Sequence, residues 1–207
     1  MTREQPIPSS MLRLFCDSVI DNLGEKTLRL LFTQAGLPHV YGGQLPPIDD
    51  SPSITANQLA ALMATGFRVL GDKGFRPILM RVGRSTASHF REHNRALAAL
   101  AGAAFRLLPS EAKVKLVLSR TAKMSQEQLH MPHRTYDSAE GYFVEIEESI
   151  YCEGISTDHA VCYLPQSFYV EILRWATGST YLVEEVQCRA KGDGRCLFRV
   201  SREPQTA

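Results

Sequence analysis

The stretch VEEVQCRAKGDGRC, from Val183 to Cys196, places Cys188 and Cys196 symmetrically about Gly192. If a hairpin turn centres there, the two cysteines oppose each other with Cβ atoms about 4.5–5.5 Å apart. That separation suits two thiolates on one zinc ion, with Zn–S bonds of about 2.3 Å, and it is also near disulfide range. Cys162 offers a third sulfur, just ahead of a helix predicted to start at Pro165. The partial positive charge of a helix N-terminus favours a thiolate at that place. Glu184 or Glu185 can add an oxygen. A regular strand points residues 185 and 188 to opposite faces, so joint coordination predicts a bulge or bend between Glu185 and Cys188. Spacing alone leaves three outcomes open: a metal site, a disulfide, or buried thiols acting as small hydrophobes.

Other residues of chemical interest are less specific. HFREH (His89–His93) has the HxxEH form used by some zinc peptidases, with two His on one helix face and Glu92 as a base. No third ligand follows at a recognisable spacing, so a polar helix face is the plainer reading. GDG at Gly192–Gly194 opens a strand rather than a helix and lacks a third glycine, so it is a turn and not a dinucleotide fingerprint. Tyr142, Phe143, Tyr151, Phe168, Tyr169 and Trp175 gather in the last third of the chain. Most of them belong to a core, and Tyr142, Tyr151, Phe168 and Trp175 are the candidates to line an apolar ligand cavity. Arg81, Arg84 and Arg91 are candidates to meet a ligand carboxylate, against a solvated surface as the plainer reading. Cys16 is read as a core residue of the first helix.

The elements that must hold these residues fall into two groups. Helical spacing begins after a candidate cap at Ser9 and Ser10, with Leu12, Phe15, Cys16, Val19 and Leu23 on one face. A second helix covers EKTLRLLFTQA and ends at Gly36. The Pro- and Gly-rich LPHVYGGQLPPIDDSPS is a long loop. Thr55 caps a third helix, PILMRV (Pro77–Val82) reads as a short strand, and an Ala-rich helix covers Ser88 to Leu108. Pro109 breaks the chain and a further helix runs to about Gln128. From there the period changes: YFVEIEESIYC alternates Tyr142, Val144 and Ile146 against Phe143, Glu145 and Glu147, as a half-buried strand does. A helix from Pro165 to near Gly178 carries Phe168, Ile172, Leu173 and Ala176 on its apolar face, and two strands joined by KGDG close the chain. The expectation is one α+β domain over residues 1–207, with a helical part at about 9–128 and a β-rich part at about 140–201.

With 207 residues, 44% hydrophobic and 22% charged, the composition is that of a globular chain able to bury a core. A formal net charge of +1 gives no bulk electrostatic case for nucleic acid or an anionic membrane. MTREQPIPSS lacks the apolar centre of a signal peptide, and the longest apolar run, ALAALAGAAF, is about half a bilayer span. A cytoplasmic protein without membrane insertion is expected, and in that compartment the five cysteines favour metal or free thiols over disulfides.

The segment AVCYLPQSFYVEILRWATGSTYLVEEVQCRAKGDGRCLFRV (Ala160–Val200) resembles the C-terminal part of the 4-vinyl reductase domain family, whose pattern is Cys, a helix, Glu-x-x-Cys-x-x-x-Gly, then Cys. That family includes sensor domains of aromatic-responsive transcription activators, the J protein of bacteriochlorophyll synthesis and free-standing hydrocarbon-binding proteins. Its fold resembles the TRAPP subunits: helices packed on a twisted antiparallel sheet, usually dimeric. The resemblance implies a structural zinc ion on Cys162, Glu185, Cys188 and Cys196, choosing Glu185 over Glu184 and leaving Cys152 as a substitute. It also implies a non-enzymatic, homodimeric sensor or carrier of a small hydrophobic or aromatic ligand. The alternatives are a tetrapyrrole-binding accessory protein of bacteriochlorophyll synthesis and a structural adaptor. The chain has no GxxxxGK[ST] phosphate loop, and Lys113–Gly141 has no clear counterpart in the family.

Overall fold

The computed structural model describes residues 4–93 and 103–205. A short strand β1 (Pro6–Pro8) pairs antiparallel with β2 (Pro52–Thr55) and brings the N-terminus beside the end of the long loop. Helix α1 (Ser9–Leu23) buries Leu12, Phe15, Cys16 and Val19, the periodic face. Ser9 and Ser10 do not cap it. Both lie inside its first turn after Pro8, and their N–H groups donate to the carbonyls of Ser51 and Asp49 at 2.8 and 2.9 Å. The long loop supplies the acceptors that a side-chain cap otherwise provides. Helix α2 (Glu25–Gln34) ends through Ala35 into Gly36 at φ 75°, a left-handed position that suits glycine.

Thr55 and Gln58 cap α3 (Ala56–His93) reciprocally: the Gln58 N–H donates to Thr55 Oγ1 at 3.2 Å, and the Thr55 N–H to Gln58 Oε1 at 2.8 Å. Gly71, at φ 68° and ψ 171°, divides α3 into two helical segments. A Cβ at Gly66 would overlap the Phe75 ring, so the two segments close on each other around the break. PILMRV is helical, not a strand, and lies in the second segment. Ile78, Leu79 and Val82 are buried on one helix face; a six-residue apolar run is too short for its period to show this. The Ala-rich stretch contributes the end of α3 and a short α4 (Ala103–Arg106), and its middle lies outside the described residues. After Pro109, α5 (Ser110–Leu129) ends at His130 in a left-handed conformation, φ 50°.

The β-rich part is a four-stranded antiparallel sheet. Its strands β3 (His133–Ser138), β4 (Gly141–Ile146), β5 (Val183–Gln187) and β6 (Cys196–Val200) stand in the order β3-β4-β6-β5. β4 is buried on both faces, where alternation predicts one. Tyr142, Val144 and Ile146 join the core. On the other face Tyr136 stacks on Phe143, and Arg195 pairs with Glu145 at 2.7 Å. Helix α6 (Tyr163–Thr177) packs on α3, α5 and β5. It starts two residues before Pro165, which sits within the first turn, where a missing N–H costs nothing. Its apolar face ends at Gly178, φ 77°. A Cβ at Gly83 of α3 would overlap Ser167 Oγ and the Leu164 carbonyl, so this glycine sets the close approach of α3 and α6. No described helix is long and apolar enough to cross a membrane.

Candidate metal centre and adjoining cavity

The hairpin works as its spacing suggests. Glu185 pairs with Phe198 but Gln187 pairs with Leu197, so the extra residue Val186 forms the bulge expected between Glu185 and Cys188. That shift carries Cys188 and Cys196 to the next opposed position of the ladder. The turn between them is held at Cys188: its N–H donates to Asp193 Oδ2 at 2.7 Å, and its carbonyl accepts from Lys191 at 2.9 Å. A 3-10 turn (Arg189–Lys191) and Gly192 at φ 93° complete it. Cys162 is the N-cap residue of α6.

The structure brings a fourth sulfur to this place. Cys152, on the loop between β4 and α6, puts its Sγ 3.4 Å from Cys196 Sγ, and Cys162 Sγ lies 3.7 Å from the same atom. The Sγ atoms of Cys152, Cys162, Cys188 and Cys196 all lie within 4.8 Å of one another. All four residues are buried, and none is in a disulfide. Ligands about 2.3 Å from one tetrahedral ion sit about 3.8 Å apart, so the donor set fits a single metal ion. Cys16 is apart from the cluster in the core of α1, where burial pushes its thiol up to about 12.

Glu185 stands beside the sulfurs. Its Oε2 accepts the Cys162 N–H at 2.8 Å, and its Oε1 is buried with no hydrogen-bond partner. Burial, and then the charge at Cys188, push this carboxyl up to about 8. The thiols share protons unequally. Hydrogen bonds from neighbouring sulfurs, Cys162 first, hold Cys152 well below the usual thiol range, while burial holds Cys162 above it. Glu184 takes no part: it pairs with Arg199 at 2.8 Å on the outer side of the sheet.

A cavity of about 120 Å³ lies on the other side of the loop that carries Cys152. Met11 and Leu14 of α1, His89 and Phe90 of α3, and Met124 and Leu129 of α5 form its helical wall. Ile146, Tyr151, Leu164, Phe168 and Tyr169 form the wall on the sheet side. Phe168 meets Phe90 edge-on at 5.7 Å, joining the two walls. Polar groups are few. Burial raises the Tyr151 and Tyr169 hydroxyls far above the usual phenol range, so both stay protonated donors. Burial holds His133 below its usual value, and its Nδ1 lies 2.8 Å from the Met131 carbonyl, which leaves Nε2 as the acceptor. No Lys or Arg occurs among the described lining residues.

Of the aromatic candidates, Tyr151 and Phe168 line this cavity. Tyr142 is buried beneath the Arg202 guanidinium at 4.7 Å, and Trp175 packs half-buried against the core. His89 lines both the cavity and an open groove beside it, which also holds Glu92 and Arg84. Arg81 pairs with Asp21 and Arg91 with Glu92. Sequence reasoning misses the helical wall, and it sets Cys152 aside; a fourth cysteine so near Cys162 is the available signal.

The 4-vinyl reductase domain model matches residues 142–202. The chain is 27% identical over 64 residues to the uncharacterized protein MJ0745 of Methanocaldococcus jannaschii, covering 31% of this chain and 35% of that protein. It thus spans about a third of the length of the curated relative it matches. Among solved structures it resembles the phenol-responsive sensory domain of the transcription activator PoxR bound to phenol, with a TM-score of 0.53 and 18% identity over 70% of this chain and 73% of that one. It also resembles an H-NOX protein from S. oneidensis, with a TM-score of 0.58 and 8% identity over 97% and 100% of the two chains. An H-NOX protein from K. algicida gives a TM-score of 0.58 and 10% identity over 97% and 99%. At these identities the likeness is one of fold. The thiol cluster lies wholly inside the matched segment, and through residues 142–202 the chain belongs to the 4-vinyl reductase domain family.

Proposed function

We propose that this protein is a sensor or carrier that binds one small, neutral, apolar or aromatic molecule, with a structural zinc ion beside the site. The observation that carries this reading is the cavity. At about 120 Å³ it is of single-ring size; an engineered apolar cavity of about 150 Å³ takes up benzene. Its walls are apolar and aromatic, with a few hydroxyl and imidazole groups to orient a polar substituent. The absence of a lining cation among the described residues argues for a neutral ligand over a carboxylate. The fold shared with a sensory domain crystallised with phenol is consistent with this.

A tetrapyrrole is disfavoured, because a macrocycle of four rings needs several times this space. The adaptor reading gives the cavity no role. Zinc fits the cluster of buried sulfurs, where Cys162, Cys188 and Cys196 supply thiolates and Glu185 stands ready beside them. Four protein ligands leave no position for water, so the ion ties α6 to the hairpin and does no catalysis. The homodimer implied by the family resemblance belongs to the same reading.

Calorimetric titration with phenol, benzoate and protoporphyrin tests it. Phenol is expected to bind once per chain, and benzoate at least tenfold more weakly. Binding of the porphyrin alone, or no binding of any single-ring aromatic, contradicts the proposal.

A further inference from the structure

Five donors surround a place that holds four. The family resemblance assigns the fourth position to Glu185. We propose instead that Cys152 is the fourth ligand, that the centre is a four-thiolate site, and that its metal thereby fixes one wall of the ligand cavity. The inference rests on the metal reading above and deepens it.

Geometry separates the two candidates. Cys152 Sγ is 3.4 Å from Cys196 Sγ, close to the edge of a tetrahedron of thiolates around one ion. It belongs to the set of four sulfurs that lie within 4.8 Å of one another. Glu185 is engaged elsewhere, since its Oε2 accepts the Cys162 N–H at 2.8 Å. In that position the carboxylate orients the backbone of a ligand, the usual work of groups just outside a metal's own ligands. Its Oε1 is the competing donor. If Oε1 held the ion, the Cys152 thiol would be left crowded against the metal's ligands with nothing to bind. The spacing also fixes the nuclearity: sulfurs within 4.8 Å of one another surround one ion and not a cluster of several. An all-sulfur set is soft and accepts zinc or iron.

The consequence lies one residue upstream. Cys152 sits on the loop between β4 and α6, and Tyr151 on the same loop lines the cavity. Ser149 ties the two, accepting the Tyr151 N–H at 3.3 Å while its hydroxyl lies 3.8 Å from Cys162 Sγ. Ligands on α6 and the hairpin alone leave this loop free of the metal. With Cys152 as a ligand, metal loading anchors Tyr151 and so shapes the cavity.

X-ray absorption of the zinc-loaded wild-type chain tests the ligand set without any variant. Four sulfurs are expected; three sulfurs and one oxygen overturn the inference and leave the metal reading standing. A wild-type chain that takes up no zinc overturns both. With cobalt(II) in place of zinc, Glu185→Gln keeps one metal per chain and the thiolate-to-cobalt absorption. Cys152→Ser binds the ion at least tenfold more weakly. The reverse pattern contradicts the assignment. Hydrogen exchange reads the coupling: chelation should speed exchange at the Tyr151 amide at least tenfold while α1 stays protected. Exchange unchanged at Tyr151, or raised evenly through α1 and α2, overturns the link to the cavity.

Discussion

The thiol cluster and the cavity are neighbours in space and opposites in construction. Every sulfur of the cluster comes from residues 152–196, on one sheet, one loop and one helix end. The cavity takes Met11 from the first helix, Phe90 and Leu129 from later ones, and Tyr169 from the last. Metal chemistry demands particular donors at particular distances, so it leaves a local pattern. An apolar cavity demands only volume and a few polar groups, and many sequences satisfy that. A metal site can therefore be preserved as a unit while the cavity beside it is rebuilt. Tyr151 and Cys152 are where the two constructions touch.

The largest expected effect breaks the cluster. Cys188→Ser should lose the metal and lower the melting temperature by about ten degrees or more, because metal binding energy at a structural site is folding energy. Metal analysis with thermal denaturation checks both, and intact zinc at an unchanged melting temperature contradicts the account. Next, Gly83→Ala forces α3 and α6 apart, at a cost of about 1–3 kcal/mol for overpacking. It should depress melting by several degrees and leave metal content at wild-type level, which would show that the helical packing and the cluster are separable.

A smaller change addresses the cavity alone. Leu129→Phe adds bulk to the helical wall and should weaken phenol binding about tenfold, or about 1.4 kcal/mol, with metal unchanged. Equal affinity in titration calorimetry would place the ligand elsewhere. The smallest effect is at the rim. The Tyr163 hydroxyl donates to Asp72 at 2.7 Å, and His159 lies 3.3 Å from the same carboxylate. Asp158 first, then Asp72, raise the His159 pKa above its usual value. The stabilisation from that shift is full below the unfolded value of about 6.5 and fades as pH rises through the folded one. Asp72→Asn should flatten this part of the stability–pH profile, by less than about 1 kcal/mol since the histidine is largely exposed. An unaltered slope in urea denaturation between about pH 5 and 8 contradicts it.

How much is legible in the sequence follows the same division. The bulge at Val186 is expected because Glu185 and Cys188 cannot share a face of a regular strand. The Thr55 cap and the Gly178 stop are local signals and stand as expected. PILMRV misleads because a short apolar run has no resolvable period, and the helix around it is fixed by packing on α6. The double burial of β4 depends on partners far along the chain, Tyr136 and Arg195. Cys152 stays out of the sequence-based ligand set because the family pattern begins at Cys162 and the loop's return to the cluster is a tertiary fact. The helical wall of the cavity has no motif to announce it.

Native mass spectrometry of the zinc-loaded chain with phenol tests the central claim most directly, because it weighs both sites in one spectrum. The account predicts one metal ion and one phenol per chain, with the metal retained when the phenol is driven off. A metal-free chain with oxidised cysteines and no bound phenol would contradict it.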